Sequence, residues 1–216
     1  MDKKILFQKK ADVMTAHGKT IGSLERVVLN PETKVITDVV VRTGTIFDRE
    51  DKVVPIDLVA ETTDYHVVLR DKAGELDAFP PFEERHLVNA NAEMDQPPEK
   101  VAPVVYGYPE LGPSVLPAPG EEFVTQIEQN IPEGTVAMKE GAKVITIEGK
   151  HVGNVERVLA DSSVDQVTHL LISRGLFMKE TKLIPISWVM MLGEDNVHLR
   201  VKKDSVEELG NTPIAV

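Results

Sequence analysis

Residues 11–76 and 142–209 of this chain are one sequence written twice, and the duplication constrains the architecture more than any single motif does. With Gly18 set against Gly149, the stretch from Gly18 to Val27 (GKTIGSLERV) lies over Gly149 to Val158 (GKHVGNVERV). After one deleted residue the match resumes. Phe47, Glu50, Lys52, Pro55, Ile56 and Val59 meet Phe177, Glu180, Lys182, Pro185, Ile186 and Val189. Two copies of about 65 residues are too few and too long for a solenoid, whose core closes only when several units stack. Each copy is therefore expected to fold largely by itself.

A copy of that size sits near the lower limit for an independent core, and the chain contains no cysteine to staple one. Disulfides and thiolate metal sites are excluded on that ground. The N-terminus, Met1-Asp2-Lys3-Lys4-Ile5-Leu6-Phe7, has an apolar run of only three residues. A secretory signal needs a longer one, and a membrane helix needs about twenty apolar residues. The expectation is a soluble, cytoplasmic chain with no transmembrane segment.

Charge separates the copies from what joins them. Residues 1–77 carry 12 basic and 14 acidic side chains, residues 138–216 carry 10 and 11, and residues 78–137 carry 2 and 10. Phosphate binding requires a clustered basic surface. The near-neutral copies and acidic middle argue against DNA and disfavour RNA. The cluster Lys3, Lys4, Lys9 and Lys10 reads as the solvated flank of a first strand.

Both copies read as short strands. Ala11–Thr15 and Ala142–Ile147 run into His17-Gly18 and Glu148-Gly149, each a tight-hairpin signal. In Ile21–Leu29 and Val152–Ala160 the apolar positions are spaced by three, and β-branched content favours a bulged strand over a helix. Polar turns at 30–34 and 161–165 lead into the most apolar strands, Val35–Arg42 and Gln166–Arg174. Lys52–Ile56 and Lys182–Ile186 follow, and Tyr65–Arg70 and Asn196–Val201 close the copies. Asp71–Leu76 and Asp204–Leu209 can each add a helical turn. Five or six short strands without a long helix call for a small barrel, since closure removes exposed edges.

Ten of the fourteen prolines lie between Pro80 and Pro132, and they favour extended chain there. Phe82, Leu87, Tyr106, Tyr108 and Leu111 are too apolar for a purely solvated tether. Glu121–Asn130 can form a short helix facing Phe123 and Ile127 inward. The organisation expected is a first barrel at 1–78, a proline-rich acidic strap at 79–133, a second barrel at 134–210 and a tail at 211–216. The fold class is all-β: two small barrels joined by a mostly irregular strap.

The succession Gly-Lys-x-Ile/Val-Gly-x-Leu/Val-Glu, a polar turn, an apolar strand ending at Gly, and Val/Ile-Pro-Ile resembles the PRC-barrel family. That family is a small β-barrel named after the cytoplasmic domain of the photosynthetic reaction-centre H subunit, and a related barrel forms part of a ribosome maturation factor. The resemblance covers both copies and implies the fold, but no catalytic residues.

No chemistry-bearing motif stands out. Gly18-Lys19-Thr20 ends like a nucleotide-binding loop, but Val13 replaces the glycine required five positions earlier. The six histidines, at 17, 66, 86, 151, 169 and 198, share no position between copies and form no His-x-His pair, so a metal site is not expected. Glu25-Arg26 and Glu156-Arg157 recur, and a structural ion pair or hydrogen bond accounts for them better than catalysis.

The copies differ in one informative place. Asp48 aligns with Met178, Glu61 with Met191, Ala60 with Met190 and Leu58 with Trp188. A position that carries a charge in one copy is expected at the surface in both, because isolated charges are rarely buried. Large apolar groups gathered there read as a repacked core, as a face covered by the strap or the other barrel, or as a partner or dimer surface, and methionine is the adaptable residue for an interface. The interface expected comprises Leu176, Met178, Trp188, Met190 and Met191. The function expected is a non-catalytic adaptor or assembly module with no cofactor. Its partner is a protein of unspecified identity, with homo-oligomerisation left open. The alternatives are a ribosome or RNA-processing accessory factor, and a reaction-centre-associated photosynthetic protein lacking a membrane helix.

Overall fold

The computed structural model describes residues 4–8, 10–45, 48–63, 65–70, 76–89, 105–108, 112–115, 123–175 and 180–212. The chain divides into two compact units, Met1–Phe82 with Asn130–Val216, and Glu83–Gln129. The first unit holds both copies. Its strands are β1 (Lys4–Gln8), β2 (Asp12–Met14), β3 (Thr20–Leu29), β4 (Ile36–Thr45), β5 (Asp48–Pro55), β6 (Val59–Thr62) and β7 (His66–Leu69). The second unit contributes β8 (Glu83–Asn89), β9 (Val105–Tyr108), β10 (Gly112–Val115) and β11 (Phe123–Gln129). The first unit then resumes with β12 (Val136–Lys139), β13 (Lys143–Ile145), β14 (His151–Asp161), β15 (Gln166–Arg174), β16 (Glu180–Pro185), β17 (Val189–Leu192) and β18 (Asn196–Leu199). A five-residue helix, α1 (Lys203–Glu207), follows. The architecture is all-β.

The recurrent motif maps onto local geometry. Gly18 and Gly149 occupy left-handed backbone (φ 80° and 73°) at the hairpin turn, a conformation that glycine adopts without steric cost. Four residues on, a Cβ at Gly22 would fall 2.4 Å from the Arg42 carbonyl oxygen, and one at Gly153 would fall 2.7 Å from that of Ser173. The second glycine therefore lets β4 or β15 close over its neighbour. The three-residue spacing in β3 is a bulge: Leu24 pairs Val41 while Arg26 pairs Val40, leaving Glu25 as the extra residue. In β14, Val155 pairs Ile172 and Arg157 pairs Leu171, so Glu156 is bulged in the same way. A bulge shifts the alternation by one and puts Leu24 and Val27 into the core together.

Each copy builds a curled sheet with strand order β5-β4-β3-β2-β7-β6 or β16-β15-β14-β13-β18-β17. The seventh strand of each is borrowed. β1 leaves the first copy and pairs with β14, with Phe7 opposite Val158 and Gln8 opposite Arg157. β12 leaves the second copy and pairs with β3, with Met138 opposite Val27 and Lys139 opposite Arg26. These registers correspond residue for residue under the internal alignment. The two barrels also meet at an antiparallel bridge between the aligned residues Val35 and Gln166. There Ile36 N donates to Asp165 O (2.8 Å) and Val167 N to Lys34 O (2.9 Å). The contact has the reciprocity of a two-fold dimer interface, here within one chain.

The two barrels consequently share one buried cluster. Phe7 (0% exposed) and Met138 (2%) belong to a single cluster of buried side chains that spans both sheets. The expectation that each copy folds largely by itself rested on its complete-looking strand set. That set omitted β1 and β12, which are short, and also β6 and β17. A second, smaller cluster lies on the outer face of the first sheet, where Phe82 (1% exposed) packs with Val28, Val40, Val53 and Ala137. Phe82 is held there by its N–H to Asp51 O (2.6 Å).

In the Glu83–Gln129 unit, β8 and β11 form a two-stranded antiparallel ribbon from Glu83↔Gln129 to Asn89↔Phe123, and β9 pairs with β10. The helix expected at 121–130 is a strand over its described part. Val124, Thr125 and Ile127 are β-branched, which favours extended chain, and neither β8 nor β11 contains a proline.

Candidate interaction surface

Of the residues singled out in the sequence, Trp188, Met190 and Met191 lie on β17 or directly before it. Leu176 and Met178 lie outside the described residues. Trp188 ends a 310 turn at Ile186–Trp188 and is half-buried against the core. Its carbonyl accepts Arg200 N (2.8 Å), as the carbonyl of Leu58 accepts Arg70 N (2.8 Å) in the first copy. Met190 and Met191 are 51% and 57% exposed.

Two adjacent exposed apolar residues conflict with strand alternation, and a bulge explains them. Val189 pairs Leu199 and Met191 pairs His198, so Met190 is the residue without an opposite number. The inward positions on either side, Val189 and Leu192, remain buried. β6 has the same bulge between Val59 and Glu61, but its two residues are a half-buried Ala60 and an exposed Glu61. The bulge thus recurs in both copies, and only the second fills both positions with large, exposed apolar side chains. Tyr65, Ile147 and Val164 are also exposed, but singly along the sequence, as is ordinary for protein surfaces.

The turn after β17 is braced from both copies. Glu194 Oε2 accepts a 3.0 Å hydrogen bond from Arg26 Nη1, whose guanidinium also lies over the Phe82 ring, 4.6 Å from its centroid. Glu194 O accepts Lys139 N (2.8 Å), Lys139 Nζ pairs with Asp195 Oδ1 (3.0 Å), and Asp195 O accepts Lys143 N (2.8 Å). Arg200 Nη2 donates to Val189 O (3.3 Å). The methionine pair therefore stands on a firmly held edge.

The Glu-Arg pair of the first copy takes part in ion pairs. Glu25 contacts Arg42 (3.2 Å) and Arg26 turns to Glu194. Arg42 grips Asp51 through two hydrogen bonds of 2.8 and 2.9 Å, and that contact holds its guanidinium protonated above the usual arginine range. Lys34 is shifted the other way, first by burial and then by nearby Arg200. Among the described residues no three His, Asp or Glu side chains converge as metal ligands would. His86 lies beside Glu84 (3.5 Å) and Glu128 (3.7 Å), and His151 bonds Asn154 (3.1 Å). A depression lined by Val152, Ile172, Arg174, Glu180, Lys182 and Val206 opens at one end of the second barrel. Its Lys182 is committed to the carbonyls of Glu207 (3.0 Å) and Leu209 (2.6 Å). No helix among the described residues is long and apolar enough to cross a membrane.

The PRC-barrel domain family matches the chain over residues 9–79 and 140–206. This protein belongs to the PRC-barrel family and carries the domain twice. No curated protein matches the chain.

Proposed function

We propose that this protein is a non-catalytic interaction module, an adaptor or assembly element, that engages a protein partner through Met190 and Met191 on β17. The observation that supports this reading is the shared bulge. The same bulge carries a half-buried Ala60 and an exposed Glu61 in one copy and two exposed methionines in the other. Flexible, polarizable methionine suits a protein contact.

The test uses the full chain with Met190→Ala and Met191→Glu, which install the residues of the first copy. Exposed substitutions of this kind alter stability within about 0.5 kcal/mol, so the melting temperature should hold. A protein recovered from the native organism by the wild type and lost with the double variant supports the reading. Equal recovery by both proteins refutes this surface.

A further inference from the structure

The segment between the barrels does not serve to span a distance. Phe82 O accepts Asn130 N at 2.9 Å, and Pro81 O accepts Asn130 Nδ2 at 2.8 Å. The 47 residues Glu83–Gln129 thus leave and return at one place, where a turn of a few residues would suffice. They fold into a unit of their own, begun by the ribbon of β8 and β11.

A ribbon of two strands leaves half the backbone groups of each strand facing outward, and it is marginal without further pairing. Among the described residues no third strand joins it. The two edges differ in how they are protected. β8 opens with Glu83, Glu84, Arg85 and His86, four ionisable residues in succession, which is how natural edges resist pairing. β11 (FVTQIEQ) has one charge, Glu128, and its Val124 and Ile127 are 49% and 54% exposed.

We infer that β11 pairs antiparallel with β11 of a second copy of this chain, joining two ribbons into one four-stranded sheet. Centred on Gln126, this pairing sets Val124 against the partner's Glu128 and Thr125 against the partner's Ile127. No charge then opposes a like charge, and β-branched residues meet across the seam. The opposing force is the arm's own charge, nine acidic against two basic residues over 83–129. Added salt screens that repulsion, so the dimer tightens as salt rises. The inference uses residues other than Met190 and Met191, and its failure would leave that reading untouched.

Sedimentation equilibrium of the full chain tests the pairing. Wild type should approach twice 23.9 kDa with rising concentration, more readily at high salt. Val124→Glu faces the partner's Glu128 twice per dimer and should weaken association roughly fivefold or more, whereas Val124→Lys should match or exceed wild type. Replacing 83–129 by a short glycine turn should give a folded monomer. A wild type monomeric throughout, a dimer surviving that replacement, or equal weakening by Val124→Glu and Val124→Lys would overturn the inference.

Discussion

The same three-strand site is built in two ways in the two copies. In the first, Arg42 on β4 bridges Glu25 on β3 and Asp51 on β5. In the second, the aligned residues are Glu156, Ser173 and Thr181. Ser173 Oγ donates to Glu156, and Thr181 Oγ1 donates to the carbonyl of Thr212. One cation and one anion have gone together, so the net charge of the site is unchanged. The outer face shows a similar exchange: Phe82 N bonds Asp51 O, and the aligned Thr212 N bonds Thr181 O, with an aromatic anchor in one copy and a threonine in the other. The backbone, with its bulges and exchanged strands, is common. At the three-strand site the polar packing has changed while one cation and one anion left together.

The largest test of that common frame removes an exchanged anchor. Phe7→Ala takes a fully buried ring from the second barrel, and Met138→Ala takes its counterpart from the first. Losses of about 3–5 and 2–5 kcal/mol are expected from such truncations. Because one core spans both copies, each variant should lower a single calorimetric transition of the full chain. Residues 134–210 alone, deprived of β1, should bind hydrophobic dye and show no transition. Two independent transitions, or a cooperatively melting fragment, would show that the copies are separable after all.

The bridged site gives the next largest effect. Arg42→Ser alone leaves Glu25 and Asp51 without their cation, and Asp51→Thr alone removes a bidentate partner. Each should cost about 1–2 kcal/mol, as partly exposed charged hydrogen bonds do. Together they reproduce the second copy's site, and the pair should be less damaging than the sum by about 1 kcal/mol. Denaturant unfolding of the two singles and the double measures the coupling. Strict additivity would mean that Glu25, Arg42 and Asp51 do not act as a unit.

The repeat made most of this fold legible in the sequence. Gly18 and Gly149 marked the hairpins, and the three-residue spacing of Leu24 and Val27 marked the bulge, because local sterics act within a few residues. β1 and β12 were hidden for the opposite reason. Each is short, and its partner strand lies in the other copy, so no local pattern encodes the pairing. β17 was hidden by its own bulge, which breaks the alternation at Met190 and Met191. The duplicate nevertheless singled out those two residues, since Glu61 in one copy implied an exposed position in both. Trp188 was a harder case: a large apolar residue at a barrel end reads equally as surface or core, and half-burial combines the two.

The smallest effect concerns Asp38, which the second copy replaces with His169. Asp38 is 8% exposed on β4, opposite Val28 and Pro55, and its Oδ2 has no hydrogen-bond partner. Burial raises its pKa above the usual carboxylate range, a Thr37 hydrogen bond opposes the shift, and Asp57 adds to it. The native state therefore holds this proton more tightly than the unfolded chain does. Between the two pKa values the native state binds more protons, so stability at this site falls as pH rises through the native pKa and is lowest at neutrality. Asp38→Asn removes the charge and keeps the shape. It should stabilise the protein by about 1 kcal/mol at pH 7, the scale of one unsatisfied buried group. The advantage should shrink on acidification through the native pKa and level off below the ordinary aspartate value near ~3.9. Melting temperatures of wild type and variant from pH 7 to pH 4 decide it. A variant less stable than wild type at pH 7, or a difference that does not change with pH, would mean that the charged form of Asp38 has a partner that stabilises the fold.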